Sequence, residues 1–341
     1  MKPDRLERDI QFRNLSAEQR EQLMIQVAKR YYHLDMTMSE LSTELGLTRW
    51  QASRLLTEAK ETGIVRIDIV PHTPRMPGLE SRLERAFGLK EAVIVPSNAD
   101  QDDALVLDAV ARGAGQYLAG LGRIPAIGIS WGRTMSAIAH RLPPYWNEGV
   151  EVVLLNGSMN IRASGPQTNN VAELFARAGR GTATLLPVPA IFGHAATKIA
   201  LEQDPTIAGV LELANRVPVV CFGIGAMVPD SVLIQSGYVS LEEHETLRQK
   251  GAVGDILSRF IDAEGRIVDP DLDARTIGIS LESCRGRTLS IGVAAGLKKR
   301  AAILSCIRAG YVNVLVTDEI TALALMEPGD DVRGSAGSAS R

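Results

Sequence analysis

The sequence predicts an α/β protein in which a small helical domain precedes a doubly wound, mostly parallel β-sheet domain. Before residue 75, apolar residues recur at the helical spacing i, i+3, i+4 and i+7, whereas beyond it short Val-, Ile- and Leu-rich runs alternate with helical stretches. Strands that are apolar along their whole length indicate a sheet covered by helices on both faces. A chain of 341 residues has room for roughly two domains of ordinary size.

A proline-rich segment marks the boundary between the two patterns. Pro71, Pro74, Pro77 and Gly78 lie close together and interrupt both of them. The end of the sequence is small, polar and without an apolar period, which is typical of a frayed tail. The predicted organisation is a helical domain at 1–70, a linker at 71–79, a larger α/β domain at 80–328 and a tail at 329–341.

Three amphipathic helices are predicted in the helical domain. Gly63 follows the third helix, and the alternating, β-branched residues 64–70 predict a strand or wing. The domain is therefore expected to resemble a winged helix. The apolar stripes of the three helices are Met24, Val27, Ala28 and Tyr31; Met38, Leu41, Ser42 and Leu45; and Ala52, Leu55, Leu56 and Ala59.

Eight apolar runs are predicted as strands of the larger domain. Helical stretches separate most of them, as expected when parallel strands are joined by crossover helices. The runs are 92–96, 126–130, 150–155, 182–188, 217–222, 276–281, 289–293 and 312–317.

Residues 37–63 have the spacing of a helix-turn-helix. Gly46 can adopt the left-handed conformation of a tight turn, and Thr48 can cap the next helix. Such motifs contact DNA bases mainly through the first turns of the second helix. A solvated surface on a small helical bundle is the alternative, which the placement of the apolar residues around Gly46 disfavours. The candidate DNA-binding residues are Thr48, Arg49, Gln51, Ser53 and Arg54, with Lys60 farther along the helix.

The segment AIGISWGRTM (126–135) has the form of a strand, a glycine-containing turn and a helix start. This arrangement presents backbone N–H groups and the positive end of a helix dipole to an anion. Arg133 adds a planar fork that suits phosphate, and Ser130 and Thr134 add hydroxyl groups. The segment lacks the spacing of a Walker A loop, and no G-x-G-x-x-G opens a helix after a strand elsewhere. Taken alone, the turn could simply connect a strand to a helix.

Composition limits the partners of the whole chain. With 37 Lys and Arg against 40 Asp and Glu, the net charge is −3, so any contact with nucleic acid must be local. Cys221, Cys284 and Cys306 form no C-x-x-C pair, as expected in a reducing cytoplasm. A charged start and the lack of a long apolar run predict neither export nor membrane insertion. No metal and no cofactor are predicted.

Several motifs in a fixed order make the sequence similar to one family. A helix-turn-helix ending in SRLL is followed by GISWGRTM (128–135), LLNGSMN (154–160), GAVGDILSRFID (251–262), GLKKRAAI (296–303) and YVNVLVTDEITA (311–322). Together they resemble the SorC family of bacterial transcriptional regulators over residues 20–327. The resemblance implies a C-terminal domain with the fold of sugar-phosphate isomerases and glucosamine-phosphate deaminases. It further implies that this domain senses a phosphorylated sugar or polyol, and that the protein binds double-stranded operator DNA as a homo-oligomer, commonly a tetramer built as a dimer of dimers.

The resemblance also implies a set of effector-binding residues. Asp255 would accept hydrogen bonds from sugar hydroxyl groups, whereas Lys299, rather than its neighbour Lys298, would be a second phosphate partner. Each position has a structural alternative: Arg133 as a surface ion pair, Lys299 as a solvated lysine and Asp255 as a helix N-cap. Besides Lys299 and Asp255, the set contains Ser130, Gly132, Arg133 and Thr134 as phosphate ligands. It also contains Asn156 and Gln167, whose segments match the family less sharply. Two departures from the family pattern are Ser42 in place of alanine and Ser158 in place of a second glycine.

An enzyme is the second hypothesis, because the same fold hosts isomerases. Asp255 and Asp318 are the available carboxylates, while the five histidines are scattered and form no H-E-x-x-H motif. Lys299 lies in a cationic run that suits phosphate better than a Schiff base. The attached helix-turn-helix favours a regulator that is not an enzyme. The identity of the effector, and whether it releases or tightens the contact with DNA, stay open at this point.

Overall fold

The computed structural model describes residues 15–65, 75–158 and 171–327. The chain divides into two compact units, Met1–Val70 and Pro71–Arg341. In the described ranges, no helix is long and apolar enough to cross a membrane.

The described residues of the first unit form three helices: α1 (Ala17–His33), α2 (Met38–Glu44) and α3 (Arg49–Glu61). Each helix begins with a capping box, in which a Ser or Thr hydroxyl and a Gln or Glu side chain satisfy free N–H groups of the first turn. The predicted stripes pack into one core around Val27, Leu41 and Leu55, which are fully buried. Tyr31 is an exception, because it lies beyond the buried part of α1 and packs edge-on against Tyr32 at the surface.

The connection between α2 and α3 is the predicted tight turn. Gly46 has φ 65°, which confirms the left-handed conformation. Ser42 fits the core, where it is buried and its hydroxyl donates to the carbonyl oxygen of Met38 at 2.6 Å. Of the predicted strand at 64–70, residues 64 and 65 form a bend, and 66–70 lie outside the described residues.

Within the part of the second unit that the structure describes, ten strands form two sheets. Seven of them form one parallel sheet in the order β1-β10-β9-β5-β2-β3-β4, and three form a small antiparallel sheet in the order β6-β7-β8. The strands are β1 (Glu91–Val95), β2 (Ala126–Ile129), β3 (Glu151–Leu154), β4 (Thr182–Thr184), β5 (Val219–Gly223), β6 (Gly225–Ala226), β7 (Gly254–Ile256), β8 (Arg259–Ile261), β9 (Leu289–Val293) and β10 (Val314–Asp318).

Helices cover both faces of the parallel sheet. Alternate residues of one strand enter different cores: Val93 and Val95 pack on one face of β1, and Ile94 packs on the other. This pattern confirms the predicted doubly wound α/β fold. The helices are α4 (Pro77–Phe87), α5 (Asp103–Gly120), α6 (Arg133–Arg141), α7 (Val171–Ala178), α8 (Ala195–Glu202), α9 (Pro205–Arg216), α10 (Val232–Gln235), α11 (Leu241–Gln249), α12 (Pro270–Arg275), α13 (Arg300–Arg308) and α14 (Glu319–Met326), with short 3-10 helices at Leu281–Cys284 and Leu297–Lys299.

The eighth predicted strand, at 276–281, is wrong. Seven of the apolar runs contain strands of the parallel sheet, but this one pairs only at single residues, Thr276 with Ile191 and Gly278 with Asn156. Gly278 has φ 138°, and a side chain there would lie 2.6 Å from the carbonyl oxygen of Leu155. At Gly278 the backbone therefore lies against Leu155 with a positive φ, a conformation that a regular strand does not adopt.

Candidate functional site

A cavity of about 770 Å³ opens at the carboxyl ends of the parallel strands. Its lining includes Ser97 after β1, Ser130 after β2, Asn156 after β3 and Gly296 after β9. The sheet order changes direction between β2 and β5, since β3 and β4 continue to one side and β9 and β10 to the other. Open α/β sheets bind ligands at such a switch point, and the volume suits a small molecule.

The loop from β2 to α6 holds four of the predicted phosphate ligands at this switch point. Gly132 has φ 121°, a conformation that favours glycine, and α6 begins at the next residue. Ser130 is buried, and its hydroxyl accepts a hydrogen bond from the N–H of Gly223 at 3.4 Å. Thr134 packs against the same glycine, where a Cβ atom would lie 3.3 Å from the threonine Cβ. The loop is thereby fixed against the end of β5.

Arg133 forms an ion pair, as its structural alternative required. Its Nη1 atom lies 3.2 Å from Oδ2 of Asp230, and its Nη2 atom donates to the backbone oxygen of the same residue at 3.1 Å. The guanidinium holds the pKa of the Asp230 carboxyl below its ordinary value. Both side chains line the cavity and remain open to solvent. A ligand can therefore reach Arg133, but it meets Asp230 there.

Lys299 and Asp255 line the cavity from two different elements, the 3-10 helix after β9 and strand β7. Lys299 ends the short 3-10 helix after β9, is partly buried, and has no described carboxylate within ion-pairing distance. Burial lowers the pKa of the Lys299 ammonium to about 8, while the negative charge of Asp255 opposes this shift. Burial raises the pKa of Asp255 to about 6, against the attraction of Lys299. Lys298, by contrast, is exposed and pairs with Asp103 at 3.2 Å.

Asp255 is a strand residue, so the alternative of a helix N-cap is wrong. It lies on β7 opposite Gly225 of β6. A side chain at position 225 would overlap the Oδ1 atom of Asp255, so the carboxylate would have to leave its position. The other available carboxylate, Asp318, is buried and caps α14: its oxygens accept hydrogen bonds from the N–H of Thr321 at 2.9 Å and of Gly296 at 2.8 Å. Asp318 therefore has a structural role.

Asn156 lies on the cavity wall with one unsatisfied atom. The residue is only 2% exposed, and its Nδ2 atom donates to the Ser258 hydroxyl at 3.1 Å. Its Oδ1 atom is buried and has no hydrogen-bond partner among the described residues. Ser258 and Leu257 form the turn between β7 and β8 with φ values of 66° and 52°, which is strained for residues other than glycine. Gln167, the remaining candidate, lies outside the described residues.

The cavity lining includes residues that were not predicted, Trp131 and Asp230 among them. Trp131 belongs to the GISWGRTM segment, and its indole N–H donates to the carbonyl oxygen of Gly157 at 2.5 Å. Its position within the predicted phosphate turn could have indicated it. Asp230 lies 97 residues from Arg133 in the chain, and no motif indicates it. In the described ranges, no group of three or more His, Cys, Asp or Glu side chains could hold a metal ion.

The candidate DNA-binding surface is the start of α3. Arg49, Ser53 and Arg54 are exposed, as expected for an outward face. Trp50 is 64% exposed, and the Arg54 guanidinium lies 5.3 Å from its ring centroid. Trp50 was also missed, although the inward stripe of α3 leaves position 50 on the outside. The face therefore combines cations with an aromatic ring.

Gln51, one of the candidate DNA-binding residues, is buried and does not belong to the exposed face of α3. Gln51 is 2% exposed, because its Oε1 atom accepts a hydrogen bond from the backbone N–H of Thr48 at 2.8 Å. Thr48 is the N-cap of α3, which confirms the predicted cap, and its hydroxyl accepts from the N–H of Gln51 at 3.2 Å. The capping box thus holds both side chains against the helix end.

A helix-turn-helix unit and an α/β unit with a polar cavity, joined in one chain, define a class: transcriptional regulators that respond to a small molecule. Residues 73–327 match the family described as "Putative sugar-binding domain". The chain is 34% identical over 308 residues to the deoxyribonucleoside regulator of Bacillus subtilis (strain 168), covering 90% of this chain and 98% of that protein. It is 30% identical over 314 residues to the sorbitol operon regulator of Klebsiella pneumoniae, covering 89% and 98%.

A solved structure gives the same assignment. The crystal structure of the full-length sorbitol operon regulator SorC from Klebsiella pneumoniae matches with a TM-score of 0.68 and 29% identity, over 92% of this chain and 99% of that one. The chain belongs to the SorC family of transcriptional regulators, which confirms the resemblance. It is an operon regulator with a sugar-binding domain.

Proposed function

We propose that the protein binds operator DNA of a carbohydrate or polyol operon, and that a phosphorylated sugar or polyol in the cavity controls this binding. The observation that carries the proposal is the meeting of Arg133, Lys299 and Asp255 in one cavity, although they come from three distant segments. Cations beside oxygen acceptors suit a ligand that carries phosphate at one end and hydroxyl groups at the other.

The phosphate end is proposed to lie at the start of α6. There the free backbone N–H groups of the first turn and the positive end of the helix dipole would both attract an anion. The hydroxyl groups of Ser130 and Thr134 and the guanidinium of Arg133 add donors, and Lys299 adds a charge from the other side of the cavity. The absence of a described carboxylate within ion-pairing distance of Lys299 leaves its charge for a ligand.

The hydroxyl end is proposed to lie near Asp255 and Asn156. A carboxylate accepts hydrogen bonds from vicinal hydroxyl groups, and the buried Oδ1 atom of Asn156 lacks a donor. Gln167 stays a candidate for the same end of the ligand. These polar groups would favour a sugar or polyol over an apolar phosphate ester.

The proposal is a sensor without enzymatic activity. Isomerisation requires an acid or base beside the sugar carbon. Of the two available carboxylates, Asp318 is fixed as the cap of α14, and Asp255 is proposed to accept hydrogen bonds from the ligand's hydroxyl groups. The relatives with similar sequences are named regulators. In the proposed function, the first unit binds DNA and the second unit binds the effector.

DNA binding is proposed to use α3. Arg49, Ser53 and Arg54 would contact base edges and phosphates, with Trp50 packing against the sugar-phosphate backbone or thymine methyl groups, and with Thr48 near a phosphate. One module makes few contacts, so a tetramer, built as a dimer of dimers, would supply affinity and set the spacing of half-sites. Such a regulator acts where the chromosome is, in the bacterial cytoplasm.

The proposal is tested by pairs of ligands that differ only in phosphate. In a thermal-shift screen of sugars and polyols and of their phosphate esters, only esters should raise the melting temperature of the protein. The best ester should then change the gel shift that the protein produces with the DNA upstream of its own gene. A matching shift with the unphosphorylated partner would contradict the phosphate site. Turnover of sugar phosphates without a footprint on that DNA would favour an isomerase instead.

A further inference from the structure

The proposed phosphate ligand Arg133 is already occupied by an anion of the protein. Asp230 places its carboxylate 3.2 Å from Nη1 and its backbone oxygen 3.1 Å from Nη2 of Arg133. The two residues come from different elements, since Arg133 opens α6 and Asp230 lies between β6 and α10. Both line the cavity.

The position of Asp230 within a group of cations makes this contact more than an incidental pair. Lys298 acts on the same carboxyl and, with Arg133, lowers its pKa. Lys298 itself pairs with Asp103 at 3.2 Å on the cavity lining. Asp230 is therefore the carboxylate that Arg133 and Lys298 together attract at the cavity lining.

From this geometry we infer that Asp230 is a built-in competitor of the effector: its carboxylate occupies the Arg133 fork until a phosphate group displaces it. The inference rests on the proposed phosphate site and concerns the regulation of that site. Asp230 then sets how much effector the regulator needs, because each binding event must first break the internal pair.

The pair has the strength that such a competitor requires. Both side chains are at least half exposed, at 50% for Arg133 and 65% for Asp230, and exposed ion pairs are weak. A phosphate carries a charge of about −1.5 to −2 and three acceptor oxygens, so it replaces a single carboxylate at a guanidinium fork. The displaced carboxylate remains beside the bound phosphate and repels it, which also lowers the affinity.

The test is the affinity of the full-length protein for inorganic phosphate, measured by calorimetry. Asp230→Asn keeps the size of the side chain and removes its charge, so it should bind phosphate about two- to tenfold more tightly than the wild type. In an Arg133→Ala background, the same change should have little effect, because no fork is left to compete for. The matched control is Asp103→Asn, which removes a cavity-lining charge that pairs with Lys298 and should tighten binding less.

The outcomes separate this inference from the proposed function. Unchanged or weaker phosphate binding by Asp230→Asn, together with lost binding by Arg133→Ala, would overturn the competitor and leave the phosphate site standing. An equal gain for Asp103→Asn, or a gain that persists in the Arg133→Ala background, would also overturn it, because the effect would then be one of general charge. If neither the wild type nor Asp230→Asn binds phosphate, both the competitor and the phosphate site fail.

Discussion

The two units of this protein build their surfaces in opposite ways. The candidate DNA-binding face is the first turns of one helix, α3, which spans only 13 residues. The cavity is assembled from the ends of β1, β2, β3, β5, β9 and β10 and from the small sheet, so its residues range from Ser97 to Ile320. The side chains of the DNA-binding face lie on one helix and contact only near neighbours, whereas the cavity depends on groups from distant segments that hold one another. We therefore expect separable effects of mutation in the first unit and coupled effects in the second.

The largest expected effect is the loss of effector binding in Arg133→Ala. Charge-assisted hydrogen bonds contribute about 1.5 to 3 kcal/mol, so affinity for a phosphorylated effector should fall roughly 10- to 150-fold. Binding of upstream DNA without effector should be unchanged in a gel shift. The matched control is Arg141→Ala, at the other end of α6, which removes an arginine paired with Asp108 at 2.6 Å. A normal response of the Arg133 variant to effector would refute the phosphate assignment.

The Arg54→Ala variant is expected to lose DNA binding but to keep effector binding. Loss of a base or phosphate contact should weaken DNA binding by about 1 to 3 kcal/mol for each module while leaving effector binding intact. Gel shifts at several salt concentrations measure it, with Lys60→Ala in the last turn of α3 as the control for a cation farther from the helix start. Equal losses for the two variants would indicate a general charge effect rather than a contact at the start of α3.

Coupling within the cavity is tested by Gly225→Ala. The added methyl group would overlap the carboxylate of Asp255, and overpacking of this kind costs about 1 to 3 kcal/mol. We expect lower thermal stability together with weaker effector binding. Gly209→Ala, where a Cβ atom meets nothing within 4 Å, is the control. Unchanged effector affinity in the Gly225 variant would show that Asp255 does not contact the ligand.

The smallest expected effect is a pH dependence at Lys299. Its pKa of about 8 in the ligand-free protein means that the ammonium loses its proton as the pH rises above 8. Phosphate is already a dianion there, so affinity for the effector should fall by no more than about tenfold in total through the loss of this cation alone. Calorimetry between pH 7 and 9.5 measures the fall. Lys299→Arg keeps its charge over this range and should abolish it; a fall that persists in this variant would exclude Lys299 as the titrating group.

Most of the fold could be predicted because it depends on local patterns. Apolar runs located seven strands, and the spacing around Gly46 located the helix-turn-helix. The errors have causes that the patterns do not contain. Gln51 fits an outward position by helical spacing, yet the capping box buries it. The run 276–281 has the composition of a strand, but the close approach at Gly278 prevents regular pairing.

The sequence by itself determined the two kinds of unit, the glycine-containing turn before α6 and the family, because periodicity and motif order are properties of neighbouring residues. Only the tertiary structure decided which carboxylates are free. It fixed Asp318 as a cap, placed Asp255 in the gap left by Gly225, and set Asp230 against Arg133. These contacts join residues far apart in the chain through the ends of a parallel sheet, and no local pattern specifies which strand ends become neighbours.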